Sequence, residues 1–333
     1  MSDIQGTPRA SMLKVALALA AVYVIWGSTY LAIHFAIETI PHFLMAGSRY
    51  LIAGAVLYLW ARFRGAPRPS LAHWRSALIV GAFLLLVGNG GVVWAEQYVD
   101  SGLAALLIST EPLWIVLLVW LRPGGRKPGL KVTAGLVLGF IGLMLLVKPG
   151  AGGGVSLLGA SVLVLASLSW AWGSLWGQRA DLPESPLLTT GMQMLMGGAL
   201  LFAASFLAGE PGRFDLAQVS PKSVLALGYL VVFGAIVAFT AYVWLMRVAS
   251  PVLVSTYAYV NPVVAVFLGW AFASEPLTTG TLIAAAVILT GVALITSAQG
   301  SHSKEEAPSS DEEGIRWRIE EPSEVEAEAC ATR

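Results

Sequence analysis

Apolar residues in this chain come in unbroken blocks of about twenty, not in the one-sided stripe of a helix lying on a soluble core. At 1.5 Å per residue, blocks of that length match a hydrocarbon layer of about 30 Å. They predict helices near 13–33, 43–62, 74–95, 101–121, 129–147, 156–177, 188–208, 222–244, 251–271 and 279–298. Turn residues punctuate the gaps: Pro41, Gly65-Ala66-Pro67, Arg122-Pro123-Gly124-Gly125, Pro149 to Gly154, Pro183, Pro186, Pro211 and Pro251. The first block runs past Trp26 to about Ile33, too long for the apolar core of a signal peptide, and lacks a small-residue cleavage site. It is read as the first membrane helix.

The pattern repeats. Residues 88–121 lie against 238–271 at an offset of 150, so that Trp94 meets Trp244, Glu111-Pro112 meets Asn261-Pro262 and Trp120 meets Trp270. At nearby offsets Trp26-Gly27-Ser28 meets Trp172-Gly173-Ser174, and 49–59 meets 193–203, pairing Arg49 with Gln193 and Gly54 with Gly198. Five helices per half is an odd number, which forces the halves to cross the membrane in opposite senses. Inverted repeats of this kind place a binding site near the midplane between halves that rock about it. The expected fold is therefore an all-α membrane protein of ten transmembrane helices in two inverted five-helix repeats. The expected divisions are an N-terminal cytoplasmic segment (1–12), a first repeat (13–148), a Gly-rich connector (149–155), a second repeat (156–298) and a disordered acidic cytoplasmic tail (299–333).

Composition agrees, with 56% hydrophobic and 12% charged residues against roughly 45–50% and 25% in soluble domains. Charge adds orientation. With the N-terminus cytoplasmic, inside segments hold twelve Lys and Arg, among them Arg62, Arg64, Arg68 and Arg75, while outside loops hold only Lys148, Arg213 and Lys222. The tail from Gln299 carries ten acidic and four basic residues, so the formal net charge of zero conceals a basic body and an acidic tail. Neither is a nucleic-acid footprint. The one cysteine, Cys330, excludes an internal disulfide.

Several short motifs carry a resemblance: Trp26-Gly27-Ser28, Pro41 followed by Arg49, Gly102-Leu-Ala-Ala-Leu with Pro112, Asn261-Pro262, and Glu275-Pro-Leu-Thr before the last helix. Through them residues 13–298 resemble the drug/metabolite transporter superfamily and, within it, the ten-helix EamA-type exporters. The resemblance implies an inner-membrane carrier that exports small metabolites, amino acids or toxic compounds through a cavity lined by both halves. Glu111 departs from the apolar residue usual before that proline in the exporters that the chain resembles.

A charge within hydrocarbon costs about 2.5–3.5 kcal/mol on insertion scales, so it is rarely idle. Two stand out, Arg49 and Glu111. Their depths differ by roughly 6 Å at 1.5 Å per residue, close enough for an ion pair that only fixes packing. Alternatively, Arg49 holds an anionic group of a substrate. Glu111 lies between burial, which penalises its charge, and a nearby Arg, which favours it. A carboxylate so poised can take up and release a proton during transport. Pro112 has no N–H, so the carbonyl of Ile108 is freed to kink the helix or bind substrate.

Trp26, Tyr30, Asn89, Trp94, Trp172, Trp244, Tyr257 and Asn261 complete the expected substrate-binding set, against the plain alternatives of interface belts and helix-to-helix hydrogen bonds. Gly135 and Gly139 form a G-x-x-x-G read as packing, within the subunit or in a homodimer. His34, His42, His73 and His302 have no metal-ligand partners at useful spacing, and no phosphate loop or nucleophile elbow occurs. No metal, cofactor or enzymatic chemistry is expected. The partners are a small-molecule substrate and the lipid bilayer. The reading is a secondary exporter working by alternating access, with proton coupling through Glu111. The alternatives are an importer or exchanger of anionic or phosphorylated metabolites and, in another class, an intramembrane lipid-handling enzyme.

Overall fold

The computed structural model describes residues 12–123, 125, 127–147, 156–249, 251–254 and 256–305. The N-terminal segment before Met12, the connector 149–155 and the tail from residue 306, with Cys330, lie outside the described residues. Seven helices are long and apolar enough to cross a membrane: α1 (Met12–Ile37), α2 (His42–Phe63), α3 (Leu71–Ala95), α4 (Ser101–Leu121), α6 (Leu157–Gly177), α7 (Pro186–Leu207) and α8 (Pro221–Met246). Three helices with shorter apolar segments, Leu130–Leu146, Tyr257–Ala273 and Thr279–Ile295, complete a ten-helix all-α membrane protein: α5 (Leu130–Val147), α9 (Tyr257–Ala273) and α10 (Thr279–Glu305). α10 continues past Ala298 to Glu305, through residues assigned to the tail on sequence.

Contacts sort the connections into two ends. At the first end Lys222 meets Glu38 at 2.7 Å, Glu210 rests on the start of α2, Glu275 rests on the start of α4, and Gly159 of α6 abuts Val99. At the second end His73, at the start of α3, meets Asp181 of the α6–α7 connection at 3.3 Å, and the Tyr23 hydroxyl bonds Thr256 at the start of α9. α1 therefore runs from the second end to the first and α6 from the first to the second. The two five-helix halves are inverted and interleaved: α1 packs on α8 and α9, and α6 on α3 and α4.

The two most extensive contacts join equivalent helices, α2 with α7 and α5 with α10. Glycines make them possible. A Cβ on Gly191 would lie 2.6 Å from the Tyr58 backbone nitrogen, and one on Gly54 would lie 2.8 Å from that of Leu195. Gly135 of α5 meets Gly291 of α10 in the same way, and Gly139 receives the Leu113 side chain. The G-x-x-x-G of α5 is thus engaged inside the subunit. Large apolar side chains such as Phe267, Trp270 and Leu59 point outward, half or more exposed, as lipid-facing surface does.

Three helices are interrupted. α3 and α8, third in each half, each contain an eight-residue π segment, Ala82–Asn89 and Leu230–Val237. α4 breaks at Ser109-Thr110, ahead of Glu111-Pro112, and the carbonyl of Ile108 that Pro112 leaves free accepts the Ser167 hydroxyl of α6 at 3.3 Å. That carbonyl ties the kink to the opposite half.

α2 and α4 start without a side-chain cap of their own. A carboxylate from the opposite half serves each. Glu210 accepts from the Phe43 and Leu44 N–H groups at 3.2 and 2.7 Å. Glu275 accepts from Ser101 N, Ser101 Oγ and Gly102 N at 2.8, 2.6 and 3.0 Å. Ser274, in the left-handed region at φ 57°, folds the chain back so that Glu275 reaches over Gly269. Charge-assisted caps of this kind exceed ordinary ones. Glu275→Ala should cost about 1–3 kcal/mol by leaving α4 donors unpaired, read as a lower melting temperature in detergent. An unchanged melting temperature would show that water replaces the carboxylate.

Candidate functional site

A cavity of about 350 Å³ lies between the halves, bounded by α1–α4 of the first and α6–α9 of the second. Of the residues singled out on sequence, it gathers Trp26, Tyr30, Arg49, Asn89, Glu111, Tyr257 and Asn261. Two of the repeat pairs meet there, Arg49 with Gln193 and Glu111 with Asn261. Near the first end the wall includes Ile33, Tyr50 and Val92, each under 5% exposed. Toward the second end it includes Ser174, Gln193, Tyr242 and Tyr257, all half-buried.

Arg49 lies roughly 10 Å along α2 from its start, 5% exposed. Its guanidinium carbon is 4.8 Å from the Tyr50 ring centroid, and its Nε is buried without a hydrogen-bond partner. One terminal nitrogen comes close to Gly234 of α8, where a Cβ would be only 3.3 Å away. No ion pair joins Arg49 to Glu111, although both line the cavity. Comparable depth did not bring the two groups together, because α2 packs chiefly on α7 while α4 packs on α6 and α9, and the Glu111 carboxylate is turned to Ser174 of α6. Ser174 is within side-chain hydrogen-bonding reach of Glu111, and Tyr242 and Tyr257 feel its charge.

Three rings pack beside that carboxylate. Trp26 meets Tyr242 and Tyr257 with centroids 5.2 Å apart in each case, and Tyr242 meets Tyr257 edge-on at 5.9 Å. The Trp26 Nε1–H donates to the Gly234 carbonyl at 3.2 Å, inside the π segment of α8. Ser169 of α6 donates to the Phe83 carbonyl, inside the π segment of α3, at 2.8 Å. Each wider turn thus offers a carbonyl to the opposite half, in keeping with the placement of π segments at functional sites. Asn261, with its amide turned to donate, reaches the Tyr257 and Tyr23 carbonyls at 3.3 and 3.2 Å, so it ties α9 to α1 as well as lining the cavity.

Trp94, Trp172 and Trp244 do not line the cavity, and one reason covers all three. Each stands two residues after a lining residue, Val92, Trp170 and Tyr242, which at 100° per residue is most of the way to the opposite face. Trp94 packs on Tyr98 at 4.9 Å, Trp172 is 50% exposed on the lipid side, and Trp244 packs in a cluster with Leu245 and Val254. Trp114 of α4 packs on Phe140 of α5 at 5.4 Å. Sequence reading missed Trp170, Ser174, Thr190, Phe239 and Tyr242. The signal for α6 was Trp170 and Ser174 at a spacing of four, beside the more conspicuous Trp172.

No group of acidic, His or Cys side chains among the described residues could hold a metal ion.

Comparison with known proteins gives concordant results. The profile of the EamA-like transporter family matches residues 13–148 and 157–297. The chain is 41% identical over 282 residues to the uncharacterized inner membrane transporter YedA of Escherichia coli K12, covering 84% of this chain and 89% of that one. It is 27% identical over 290 residues to the chloroplastic WAT1-related protein At3g02690 of Arabidopsis thaliana, covering 85% and 69%. A solved crystal structure superposes with a TM-score of 0.57 at 20% identity over 86% of this chain and 99% of that one, a likeness of fold alone.

Proposed function

The chain belongs to the EamA-like transporter family, and from that premise we propose that it exports small metabolites, amino acids or amphipathic toxic compounds by alternating access. That it is a multi-pass membrane transporter follows from the family and the helices. The observation that carries the finer reading is a cavity between inverted halves that holds one buried Arg and one Glu at separate positions. Arg49, with an unpartnered Nε, is equipped for an anionic group such as a carboxylate. Glu111 and the rings of Trp26, Tyr242 and Tyr257 are equipped for an ammonium or an aromatic body. A compound carrying both would bridge the two regions.

The bilayer is read as the inner membrane, with the second end and both termini cytoplasmic, since that end carries the Arg-rich α2–α3 and α4–α5 connections. Proton uptake and release at Glu111 would couple the cycle to the proton gradient. Exchange of phosphorylated compounds is less well served, because Arg49 is the one basic residue among the described lining residues.

The test is untargeted profiling of the medium from cells producing the protein, beside an empty control, followed by flux of any enriched compound in proteoliposomes. Accumulation of a few compounds outside only with the protein supports export and names the class. An unchanged medium, with membrane expression verified, would sink the export reading and turn attention to uptake.

A further inference from the structure

Glu96, unremarked by sequence reading and outside the cavity lining, has no assigned part in transport. It stands one residue beyond the apolar span Leu71–Ala95, at the first end, and is 4% exposed. Both of its carboxylate oxygens are buried with no hydrogen-bond partner. Buried charges are as a rule paired or hydrogen-bonded, and a carboxylate with neither oxygen satisfied is tolerated only as the neutral acid.

The charged and titratable groups around it come from every neighbouring element. Arg49 of α2 is near enough to favour the anion but forms no ion pair with it, its guanidinium lying instead over Tyr50. Tyr30 of α1 is a neighbouring phenol. Glu275, from the α9–α10 connection, is held by three donors at the start of α4 and is the acidic neighbour of Glu96. Asp100, in the α3–α4 turn, is half-buried beside the same Glu275, with His34 opposing. α6, packed on the last turns of α3, contributes no ionisable side chain.

The geometry points to Glu96 as a proton-binding latch of the first end: it holds a proton while that end is closed and releases it to water when that end opens. The site takes a proton rather than a metal ion, since Glu275 is committed to its cap. Burial, then the Glu275 charge, pushes the Glu96 carboxyl well above the ordinary carboxylate range, with Arg49 pulling the other way. Once hydrated, or once Arg49 swings from Tyr50 to pair with it, the group returns toward the ordinary carboxylate range. The sign follows. The neutral acid stabilises the closed end, fully so below the open-state value, and this stabilisation is lost as pH rises through the raised closed-state value. Acid at the first end closes it, and alkali releases it.

The latch rests on the alternating-access reading, but its test needs no substrate. Spin labels at Gln97→Cys and Gln218→Cys, in a Cys330→Ser background, flank one crevice at the first end. Their distance distribution is measured in nanodiscs across a pH series. A longer-distance population should grow as pH rises, with the open-to-closed ratio changing up to about tenfold per pH unit for one released proton. Glu96→Gln, a neutral mimic of the same shape, should keep the short distance at every pH, and Glu96→Asp should restore the response. A pH response that survives in Glu96→Gln, or none in the otherwise native protein, overturns the latch. Glu96→Gln must match the parent in melting temperature, so that misfolding is not read as closure. Failure to find an exported compound would sink the export reading without touching this result.

Discussion

Replacing Glu111 by Gln should abolish gradient-driven transport while the protein still reaches the membrane and keeps its melting temperature. The expected loss is at least about tenfold, the effect of a single interaction worth about 1.4 kcal/mol. Gln preserves size and can still bond Ser174, so the packing of α4 on α6 survives. What it removes is the proton that Glu111 can exchange and the negative charge felt by Tyr242 and Tyr257. The measurement is flux in proteoliposomes with and without an imposed pH gradient. Equal flux under both conditions in the variant, against gradient-driven flux in the native protein, assigns Glu111 the coupling. The plainer role is structural: Glu111 begins the second part of α4, where a carboxylate complements the helix dipole. Under that role the variant would lose a little stability and keep both flux and its pH profile.

The second large effect is on assembly. Gly191→Val should destabilise the protein by at least about 3 kcal/mol, the upper end of overpacking costs. The new Cβ would lie 2.6 Å from the Tyr58 backbone nitrogen, and backbone cannot step aside as a side-chain tip can. α2 and α7 must separate, and their contact is the most extensive between the halves. Thermal unfolding in detergent should show a marked drop and broader elution on sizing. Gly228→Ala is the control. No atom lies within 4 Å of its Cβ position, so the change should be neutral or mildly stabilising, by about 1 kcal/mol. Equal stability of the two variants would show that the α2–α7 contact is not the main seam of the fold.

Much of the architecture was legible in the residues alone. Hydrophobic blocks long enough to span a bilayer can satisfy their backbone there only as helices, so number, class and approximate bounds followed from length and composition. The odd number of helices per half fixed the inversion, and the repeat offset pointed to Arg49, Gln193, Glu111 and Asn261, which the tertiary structure brings to one cavity. What periodicity could not supply was rotation about each helix axis. In a block apolar on every side, no stripe marks the inner face, so Trp172 drew attention although Trp170 and Ser174 line the wall. Nor could sequence alone reveal partners distant along the chain. Glu275 caps α4 and Glu210 caps α2 from the opposite half, and the solitude of Glu96 shows only when every neighbour is in place. The sequence by itself determined how many helices there are and that their halves are inverted, because those features answer to the bilayer. Which side chains face one another was decided by tertiary packing alone, because it depends on glycine contacts and carboxylate caps between residues far apart in the chain.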